Sequence, residues 1–406
     1  MIKMQNVFDT LERRGYVEQL THPEEIKKLF ATESVPFYIG IDPTADSLHV
    51  GHFISLMVAS HMQKAGHKPI ILMGGGTAII GDPSGKTDMR KMLTVEDIDN
   101  NVEKIKKQIE KFLSFEGDNA AIIVNNADWL RDLNYIKFMR EIGVHFSVNR
   151  MLAAECYKNR LETGLTFFEL GYMLMQSYDF LYLHDHYGCK LQMGGNDQWS
   201  NIIGGVELIR KIGAEDSYGF TFKLLTTKEG KKMGKTEKGA LWLNAEKTSP
   251  YEFYQYWRNV ADDDIENVMK LLTFIEPEQI EEMTRYKDER INEAKRIAAF
   301  EITKLVHGEE EAKKAEEATK AMFEGKGNVD AMESTKVEIG MPITQAIVET
   351  GIAPSKGQAK TLISQGAISL NDEKINDISY CLTEEDFKDG YAILRKGKKV
   401  YQKLIK

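Results

Sequence analysis

Two histidines three residues apart follow an apolar run near the start of the chain. His49 and His52 belong to the string DPTADSLHVGH at 42–52, directly after Pro36–Ile41, and a helical pattern begins with them. Residues at this spacing share one face of a helix, and a helix N-terminus attracts phosphate through its free N–H groups and its dipole. Gly51 lets a nucleotide approach the backbone. We interpret the segment as a polyphosphate site, although histidine pairs at this spacing are common in helices without such a role.

A lysine-rich loop lies 180 residues downstream of His52. Lys232 and Lys235 belong to the polar stretch TTKEGKKMGKTEKG at 226–239. Lysines on a flexible loop can close over a polyphosphate and neutralise the charge of a departing pyrophosphate. A basic loop alone is most often solvated surface, so the prediction of phosphate chemistry depends on the two segments together.

The elements around these residues alternate between short apolar runs and helical patterns. Four runs are predicted to be buried strands: Pro36–Ile41, Lys68–Met73, Ala121–Val124 and Lys190–Met193. Helical patterns lie between them, as at Gly51–Ala65. Alternation of this kind predicts an α/β fold with a Rossmann-like parallel sheet. Ligands of such sheets bind beyond the carboxyl ends of the strands, which is where the two histidines stand.

Beyond residue 247 the pattern changes twice. Residues 248–323 are predicted to form an α-helical domain with long charged stretches such as Glu281–Ala299. Residues 324–337 are polar and glycine-bearing and are predicted to be a linker, and 338–406 a small α+β module. With 1–247 as the catalytic domain, the sequence predicts three domains.

Charge is unevenly distributed along the 406 residues. The total is −9, yet residues 336–406 carry 11 basic and nine acidic side chains, and the last twelve residues hold six basic groups and no acid. A basic tail on an acidic body is typical of binding to a polyanion, although a solvated terminal strand has the same composition. Three scattered cysteines and the lack of a secretory-type apolar segment favour the cytoplasm.

The paired signatures resemble those of a known family. HVGH is similar to the HIGH signature of class I aminoacyl-tRNA synthetases, and KMGKT to their KMSKS loop. The longer strings YIGIDPTADSLHVGH, GDPSGK at 81–86, GGNDQW at 194–199 and SPYEFYQYW at 249–257 resemble the bacterial tyrosyl-tRNA synthetases. The departures are Val50 for isoleucine, and Gly234 and Thr236 for two serines; both lysines are kept.

The resemblance implies that ATP activates L-tyrosine as tyrosyl-adenylate, and that tyrosine then passes to the 3′-terminal adenosine of tRNA(Tyr). The reaction requires no protein nucleophile, so catalysis is positioning and charge stabilisation. Mg²⁺ would arrive with ATP, without a tightly bound protein metal. For catalysis the resemblance implies His49, His52, Thr44, Lys232 and Lys235. For ATP binding it implies Asp42, Gly51, Asp197 and Lys235. Lys86 and Arg90 would contact the phosphates from a second mobile loop.

The amino-acid pocket follows from the same resemblance. It implies that Tyr38 and Asp179 recognise the phenol hydroxyl. Tyr172 and Gln176 precede Asp179 on one face of the predicted helix Phe167–Leu183, and with Asp82 they would hold the α-ammonium group. Gln198 would lie near the tyrosine. Taken singly, Tyr38 and Tyr172 could equally be core aromatics.

The C-terminal module resembles a small RNA-binding domain first known from a ribosomal protein. The string SKGQAKTLISQGAISLND at 355–372 predicts a helix with Lys356 and Lys360, a turn at Gln365–Gly366 and a strand at Ala367–Leu370. Basic groups on one helix face suit phosphate contacts, although a packing or dimerisation module is the alternative. The resemblance also implies a homodimer, and neither DNA nor a membrane as a partner.

Three other functions remain as alternatives. A tryptophanyl-tRNA synthetase would lack the pair Tyr38 and Asp179. A small-molecule nucleotidyltransferase with an HxGH site would lack KMGKT and the RNA-binding tail. A non-catalytic RNA-binding protein derived from a synthetase would have no physical need for intact signatures and pocket residues.

Overall fold

The fold is described from a computed structural model that covers residues 6–84, 92–214, 216–236, 239–323, 334–371, 373–387, 390–397 and 400–406. The chain divides into two compact units, 1–312 and 313–406, and each is described by itself. The predicted boundary at 247/248 falls inside the first unit and stays a prediction, as does the linker at 324–337, of which 324–333 lie outside the described residues.

A six-stranded sheet forms the centre of the first unit, in the order β1-β6-β5-β2-β3-β4. Strands β2 to β6 run parallel, whereas β1 is antiparallel to β6 at one edge. A separate hairpin consists of β7 and β8. The strands are β1 Val17–Leu20, β2 Pro36–Ile41, β3 Lys68–Met73, β4 Ile122–Asn125, β5 Leu191–Gly195, β6 Tyr218–Phe222, β7 Lys235–Thr236 and β8 Gly239–Ala240.

Ten helices accompany these strands in the described part of residues 6–247. They are α1 Val7–Arg13, α2 Pro23–Thr32, α3 Val50–Lys64, α4 Val95–Ile109, α5 Ala127–Leu130, α6 Tyr135–Glu141, α7 Val148–Leu152, α8 Glu155–Thr163, α9 Phe167–Tyr187 and α10 Trp199–Lys211. The predicted α/β class with a parallel sheet is therefore confirmed. Two predicted strands match β2 and β3 to the residue, and the other two begin one residue later than predicted.

Helix α9 carries several of the predicted pocket residues and is fixed at both ends. It begins after Thr166, whose hydroxyl accepts a hydrogen bond from the Glu169 N–H while the Glu169 carboxylate accepts one from the Thr166 N–H. Gly188 ends it in the left-handed region at φ 63°, where a residue without Cβ is favoured. One face of the sheet packs against α9 and α10 through Tyr38 and Phe180, so the helix side chains face the ends of β2 and β5.

A helical segment follows the sheet. Its helices are α11 Pro250–Arg258, α12 Ile265–Leu272, α13 Pro277–Thr284, α14 Ile291–His307 and α15 Glu309–Phe323. Within the charged stretch Glu281–Ala299 the helical structure is interrupted between α13 and α14. Asp288 in the break accepts a hydrogen bond from the Arg290 N–H at 3.0 Å, and such side-chain bonds to nearby backbone compete with the helix.

Buried Arg14 joins the N-terminal part of the first unit to this segment. Its guanidinium donates hydrogen bonds to the carbonyls of Thr273 and Ile275, both at 2.9 Å. These carbonyls follow the end of α12, where helix carbonyls have no partner within the helix.

The second unit contains a small sheet in the order β11-β10-β12-β13-β9 and two helices after residue 340. The strands are β9 Ser334–Lys336, β10 Ile368–Leu370, β11 Glu373–Lys374, β12 Tyr391–Lys396 and β13 Val400–Ile405, and the helices are α16 Ile343–Glu349 and α17 Lys356–Ser364. The predicted helix with Lys356 and Lys360 is confirmed as α17. None of the helices in the described residues is both long and apolar enough to cross a membrane.

Candidate active site

A cavity of about 720 Å³ opens at the carboxyl ends of β2 and β5. Both signature segments and the predicted pocket residues contribute to its walls. The predicted residues that line it are Tyr38, Asp42, Thr44, His49, Gly51, His52, Asp82, Tyr172, Gln176, Asp179, Asp197, Gln198 and Lys232.

The sequence predicts five further site residues. Lys235 lies in β7, next to Gly234, which lines the cavity. Lys86 and Arg90 fall outside the described residues. Lys356 and Lys360 belong to the second unit, where both are exposed on α17.

The two histidines stand at the start of α3, but His49 is not part of its first turn. It precedes the helix as the N-cap with extended backbone angles, φ −120° and ψ 172°. Its Nδ1 accepts a hydrogen bond from the Gly51 N–H at 3.0 Å, and Nδ1 of His52 accepts one from the His49 N–H at 3.3 Å. In the neutral imidazole the proton then lies on Nε2, so both rings carry an Nε2–H donor.

Gly51 is required by the geometry of the histidines themselves. The two rings are stacked with centroids 4.0 Å apart, and a Cβ on Gly51 would lie 2.7 Å from Cε1 of His49. Real Cβ atoms do not approach so closely, so a side chain there would displace the His49 ring. The glycine therefore has a packing role beside the one predicted for it in nucleotide access.

The residues that directly follow the lysine-rich stretch are hydrogen-bonded to the histidine segment. The Val50 N–H donates to the Leu241 carbonyl at 3.0 Å, and the Leu243 N–H donates to the Leu48 carbonyl at 2.8 Å. The Leu241 N–H in turn donates to the Gly234 carbonyl at 2.8 Å. Although far apart in the chain, the two signatures therefore face the same cavity.

Tyr38 is a buried residue of the cavity wall. Its ring is buried on β2, and among the described residues its hydroxyl has no hydrogen-bond partner. Burial raises the pKa of Tyr38 well above its ordinary value, and the nearby Asp179 carboxylate raises it further. An unpartnered buried hydroxyl is costly, and a ligand group that bonds it would remove that cost.

The buried carboxylate of Asp179 has two partners that the sequence did not reveal. Asn126 donates from its amide nitrogen at 2.8 Å, and Trp129 donates from its indole N–H at 2.8 Å. Desolvation raises the pKa of Asp179 to about 7 against the opposing effect of these hydrogen bonds, and the charge of Asp42 also raises it. Both partners follow directly after β4, at the edge where ligands bind, and that position is the one sequence signal for them.

Trp129 is itself held by a stack of aromatic rings. Tyr182 lies parallel to it with centroids 4.2 Å apart, and His186 stacks on Tyr182 at 3.9 Å. Tyr182 and His186 lie three and seven residues after Asp179 on α9. The helix that carries Asp179 therefore also orients the indole that bonds it.

A second part of the pocket is rich in carboxylates. The Tyr172 hydroxyl donates to Asp42 at 2.9 Å, and the Gln198 amide donates to Asp82 at 2.6 Å. Gln176 donates to the Gln198 oxygen at 3.3 Å. Two carboxylates framed by neutral donors suit a cationic ligand group.

Three further residues complete this part of the pocket. Asn201 donates to the Gln198 oxygen at 3.2 Å, and Thr77 donates to Asp42 at 2.7 Å. A Cβ on Gly74 would lie 2.0 Å from the same Asp42 carboxylate, so only glycine fits. The glycine run 74–76 was the available signal for this close approach, whereas nothing in the sequence singled out Thr77 or Asn201.

Comparisons with known proteins agree with this geometry. The family model described as tRNA synthetases class I (W and Y) matches residues 31–324, and that of the tyrosine--tRNA ligase SYY-like C-terminal domain matches 324–404. A tyrosine--tRNA ligase of Acetivibrio thermocellus is 58% identical, covering 99% of each chain. Tyrosine--tRNA ligase 1 of Clostridium acetobutylicum is 57% identical, covering 99% of this chain and 100% of that protein.

Among solved structures, the chain is similar to a C-terminally truncated mitochondrial tyrosyl-tRNA synthetase of Aspergillus nidulans. The TM-score is 0.70 at 28% identity, with 79% of this chain and 94% of that chain covered. The resemblance inferred from HVGH and KMGKT therefore extends over the whole sequence and over the fold. From these matches, the chain belongs to the tyrosyl-tRNA synthetases of class I.

Proposed function

We propose that this chain activates L-tyrosine with ATP and transfers it to the 3′-terminal adenosine of tRNA(Tyr). One observation carries the proposal. A single cavity brings the histidine and lysine segments of a phosphate site together with a buried end that contains the Tyr38 hydroxyl and the Asp179 carboxylate.

The buried end suits a phenol. A substrate hydroxyl donates to Asp179 and accepts from the unpartnered hydroxyl of Tyr38. Phenylalanine would leave the buried Tyr38 hydroxyl without a partner, at about 1–3 kcal/mol, and would give Asp179 no donor beyond Asn126 and Trp129. An indole N–H could donate to Asp179 but offers no acceptor to Tyr38, which disfavours tryptophan.

The carboxylate-rich part suits the α-ammonium group. Asp82, Tyr172 and Gln176 hold it, and Gln198 orients Asp82 through its 2.6 Å hydrogen bond. The substrate carboxylate then points toward the histidine and lysine segments, where ATP binds. Charge-assisted hydrogen bonds of this kind are short and strong and so fix the orientation of the amino acid.

Adenylate formation occurs between the two signatures. The tyrosine carboxylate attacks the α-phosphorus of ATP, and pyrophosphate leaves. His49 and His52 donate their Nε2–H groups to phosphate oxygens, with Thr44 beside them, and Lys232 and Lys235 neutralise the departing pyrophosphate. Mg²⁺ accompanies the phosphates of ATP.

Other residues contact the remaining parts of the nucleotide. Asp42 and Gly51 flank the nucleotide, and Asp197 lies near the ribose. Lys86 and Arg90 approach the phosphates from a second loop. The geometry of Asp42 supports its role, because its carboxylate is fixed by Tyr172 and Thr77.

The second step requires tRNA. A hydroxyl of its 3′-terminal ribose attacks the activated carbonyl, and AMP leaves. The second unit contacts the tRNA backbone with Lys356 and Lys360, whose charges are exposed on α17. Such contacts supply affinity and positioning rather than base recognition.

We place the enzyme in the cytoplasm as a homodimer. Seven exposed large hydrophobic residues of the described chain fall between 135 and 168, and Ile136, Val144 and Phe167 are each at least 70% exposed. Exposed apolar surface of this kind favours association. Sedimentation of a Phe167→Asp variant at micromolar concentration should give a monomer, whereas an unchanged dimer would exclude Phe167 from the interface.

The decisive experiment is amino-acid-dependent exchange of labelled pyrophosphate into ATP without tRNA. Tyrosine, tryptophan and phenylalanine are supplied separately. Exchange with tyrosine alone supports both the adenylate chemistry and the pocket. Exchange with tryptophan would overturn the assignment of Tyr38 and Asp179, and no exchange by folded protein would favour a non-catalytic RNA-binding protein.

A further inference from the structure

Gly234 lies between two short hairpins, and each hairpin contains one of the two lysines that are proposed to act on the pyrophosphate. The first hairpin closes through the Met233 N–H, which donates to the Leu225 carbonyl at 2.9 Å. The second consists of β7, which contains Lys235, and β8. Lys232 therefore belongs to one hairpin and Lys235 to the other, and their relative placement depends on the backbone of the glycine between them.

The backbone at Gly234 adopts a conformation that is unfavourable for residues with a side chain. Gly234 has φ +80°, and a Cβ there would lie 3.0 Å from Cβ of Val50 in the first signature. A serine, as in the general class signature, would be strained at this φ and crowded against Val50. Glycine satisfies both demands, but it also has the greatest conformational freedom of any residue. Another contact must therefore fix the backbone conformation at Gly234.

Tyr256 supplies a hydrogen bond at this point. Its hydroxyl oxygen accepts from the Gly234 N–H at 2.8 Å, from helix α11. Desolvation raises the pKa of Tyr256, so the hydroxyl stays protonated at neutral pH. Tyr256 is not among the residues that line the cavity, so its effect on the reaction would be exerted through Gly234.

A second hydrogen bond from the same helical segment holds the first hairpin. The Asp264 carboxylate accepts from the Lys228 N–H at 2.6 Å. Asp264 thus bonds the first hairpin near its turn, at Lys228, and Tyr256 bonds the chain just after the hairpin ends, at Gly234. Two separate bonds to one rigid segment fix the direction of the hairpin as well as its position.

We infer that Tyr256 is a positioning residue for adenylate formation, which anchors Gly234 so that Lys232 and Lys235 reach the pyrophosphate together. This inference rests on the function proposed above. Displacement of a catalytic group by about 1 Å can reduce a rate by about 10²-fold. A single hydroxyl can therefore matter to the chemistry without contacting substrate.

The test removes that hydroxyl alone. In Tyr256→Phe, the rate of adenylate formation at saturating tyrosine and ATP should fall about tenfold, which corresponds to the loss of one hydrogen bond of typical strength. Tyrosine affinity and the rate of transfer from preformed adenylate to tRNA should match the wild type, because neither depends on the lysines at the pyrophosphate. A rate equal to wild type, or equal losses in both steps, would overturn the inference.

Tyr16→Phe is the matched control. Tyr16 is buried, and its hydroxyl also donates to a backbone group of the helical segment, the Leu271 carbonyl, which lies outside both hairpins. This variant should lower the melting temperature and leave the ratio of the two rates unchanged. Wild-type pyrophosphate exchange separates the two hypotheses: its absence defeats the proposed function, whereas its presence with a fully active Tyr256→Phe defeats only the role of Tyr256.

Discussion

The hydroxyl of Tyr172 donates a hydrogen bond to the carboxylate of Asp42 at 2.9 Å, although 130 residues separate them in the chain. Tyr172 belongs to α9 and to the predicted tyrosine pocket, whereas Asp42 follows β2 and leads to the histidine segment. The contact therefore connects the predicted amino-acid subsite to the predicted nucleotide subsite.

The connection predicts non-additive mutations. Tyr172→Phe and Asp42→Asn should each lower kcat/KM for tyrosine by roughly 10-fold or more, and the double variant should lose less than the product, because directly bonded residues couple by about 0.5–3 kcal/mol. Pyrophosphate exchange measures all four proteins of the cycle. Strict additivity would show that the hydrogen bond has no role in catalysis.

Asp179→Asn should weaken tyrosine binding sharply. The carboxylate already accepts bonds from Asn126 and Trp129, and an asparagine amide cannot accept on both sides. We expect a loss of roughly 10- to 100-fold in tyrosine affinity, from about 1.5–3 kcal/mol for a hydrogen bond to a charged group. Equilibrium dialysis with labelled tyrosine measures it, and unchanged affinity would remove Asp179 from the pocket.

The same carboxyl group predicts a pH dependence of stability. Desolvation raises its pKa to about 7, above the value of about 4 in an unfolded chain. The folded protein then binds this proton more tightly, so the favourable contribution is complete below about pH 4 and is lost as pH rises through about 7.

Comparison of melting temperatures with the Asp179→Asn variant isolates this effect, because other groups titrate alike in both proteins. The melting temperature of the variant, relative to wild type, should rise between pH 4 and pH 8. Parallel curves over that range would contradict the raised pKa.

His49→Ala should slow adenylate formation by about 10- to 100-fold and change tyrosine affinity little. In the proposed reaction the Nε2–H of His49 donates to a phosphate oxygen whose charge develops in the transition state, and such contacts affect kcat more than binding. Pre-steady-state measurement with saturating tyrosine checks the rate. Equal losses in binding and rate would rule out this role.

Lys356→Ala together with Lys360→Ala should weaken aminoacylation without affecting pyrophosphate exchange. Both side chains are exposed on α17, so their removal should leave the unit folded. The KM for tRNA should rise several-fold, and its dependence on salt should flatten because fewer counterions are released. An unchanged KM would favour a packing role for the second unit.

Contiguous patterns were the parts of the structure that the sequence predicted best. Strands β2 and β3 are unbroken apolar runs, and the histidine and lysine segments each contain their chemistry within a few residues. Strand β1 was missed because Val17–Leu20 is short and half polar and lies at the sheet edge. The sequence of this segment does not show that it is a strand, or that it runs antiparallel, because both depend on its pairing with β6.

The sequence did not predict residues whose role is to bond or pack against another site residue. Asn126 and Trp129 bond Asp179 only because the sheet brings the end of β4 beside α9. Gly51 was assigned to nucleotide access, whereas the structure adds the packing of the His49 ring. Such roles depend on distances between elements, which no single segment encodes.

The antiparallel edge of the large sheet also bears on how the chain is synthesised. Strand β1 pairs with β6, so Val17 faces Phe222, and the ribosome adds the intervening residues in roughly 10–40 s at about 5–20 residues per second. The N-terminal strand therefore emerges long before its partner, with its backbone donors and acceptors open to other chains. The nascent protein therefore completes its large sheet only after Phe222 has been added, when more than half of the chain has been synthesised.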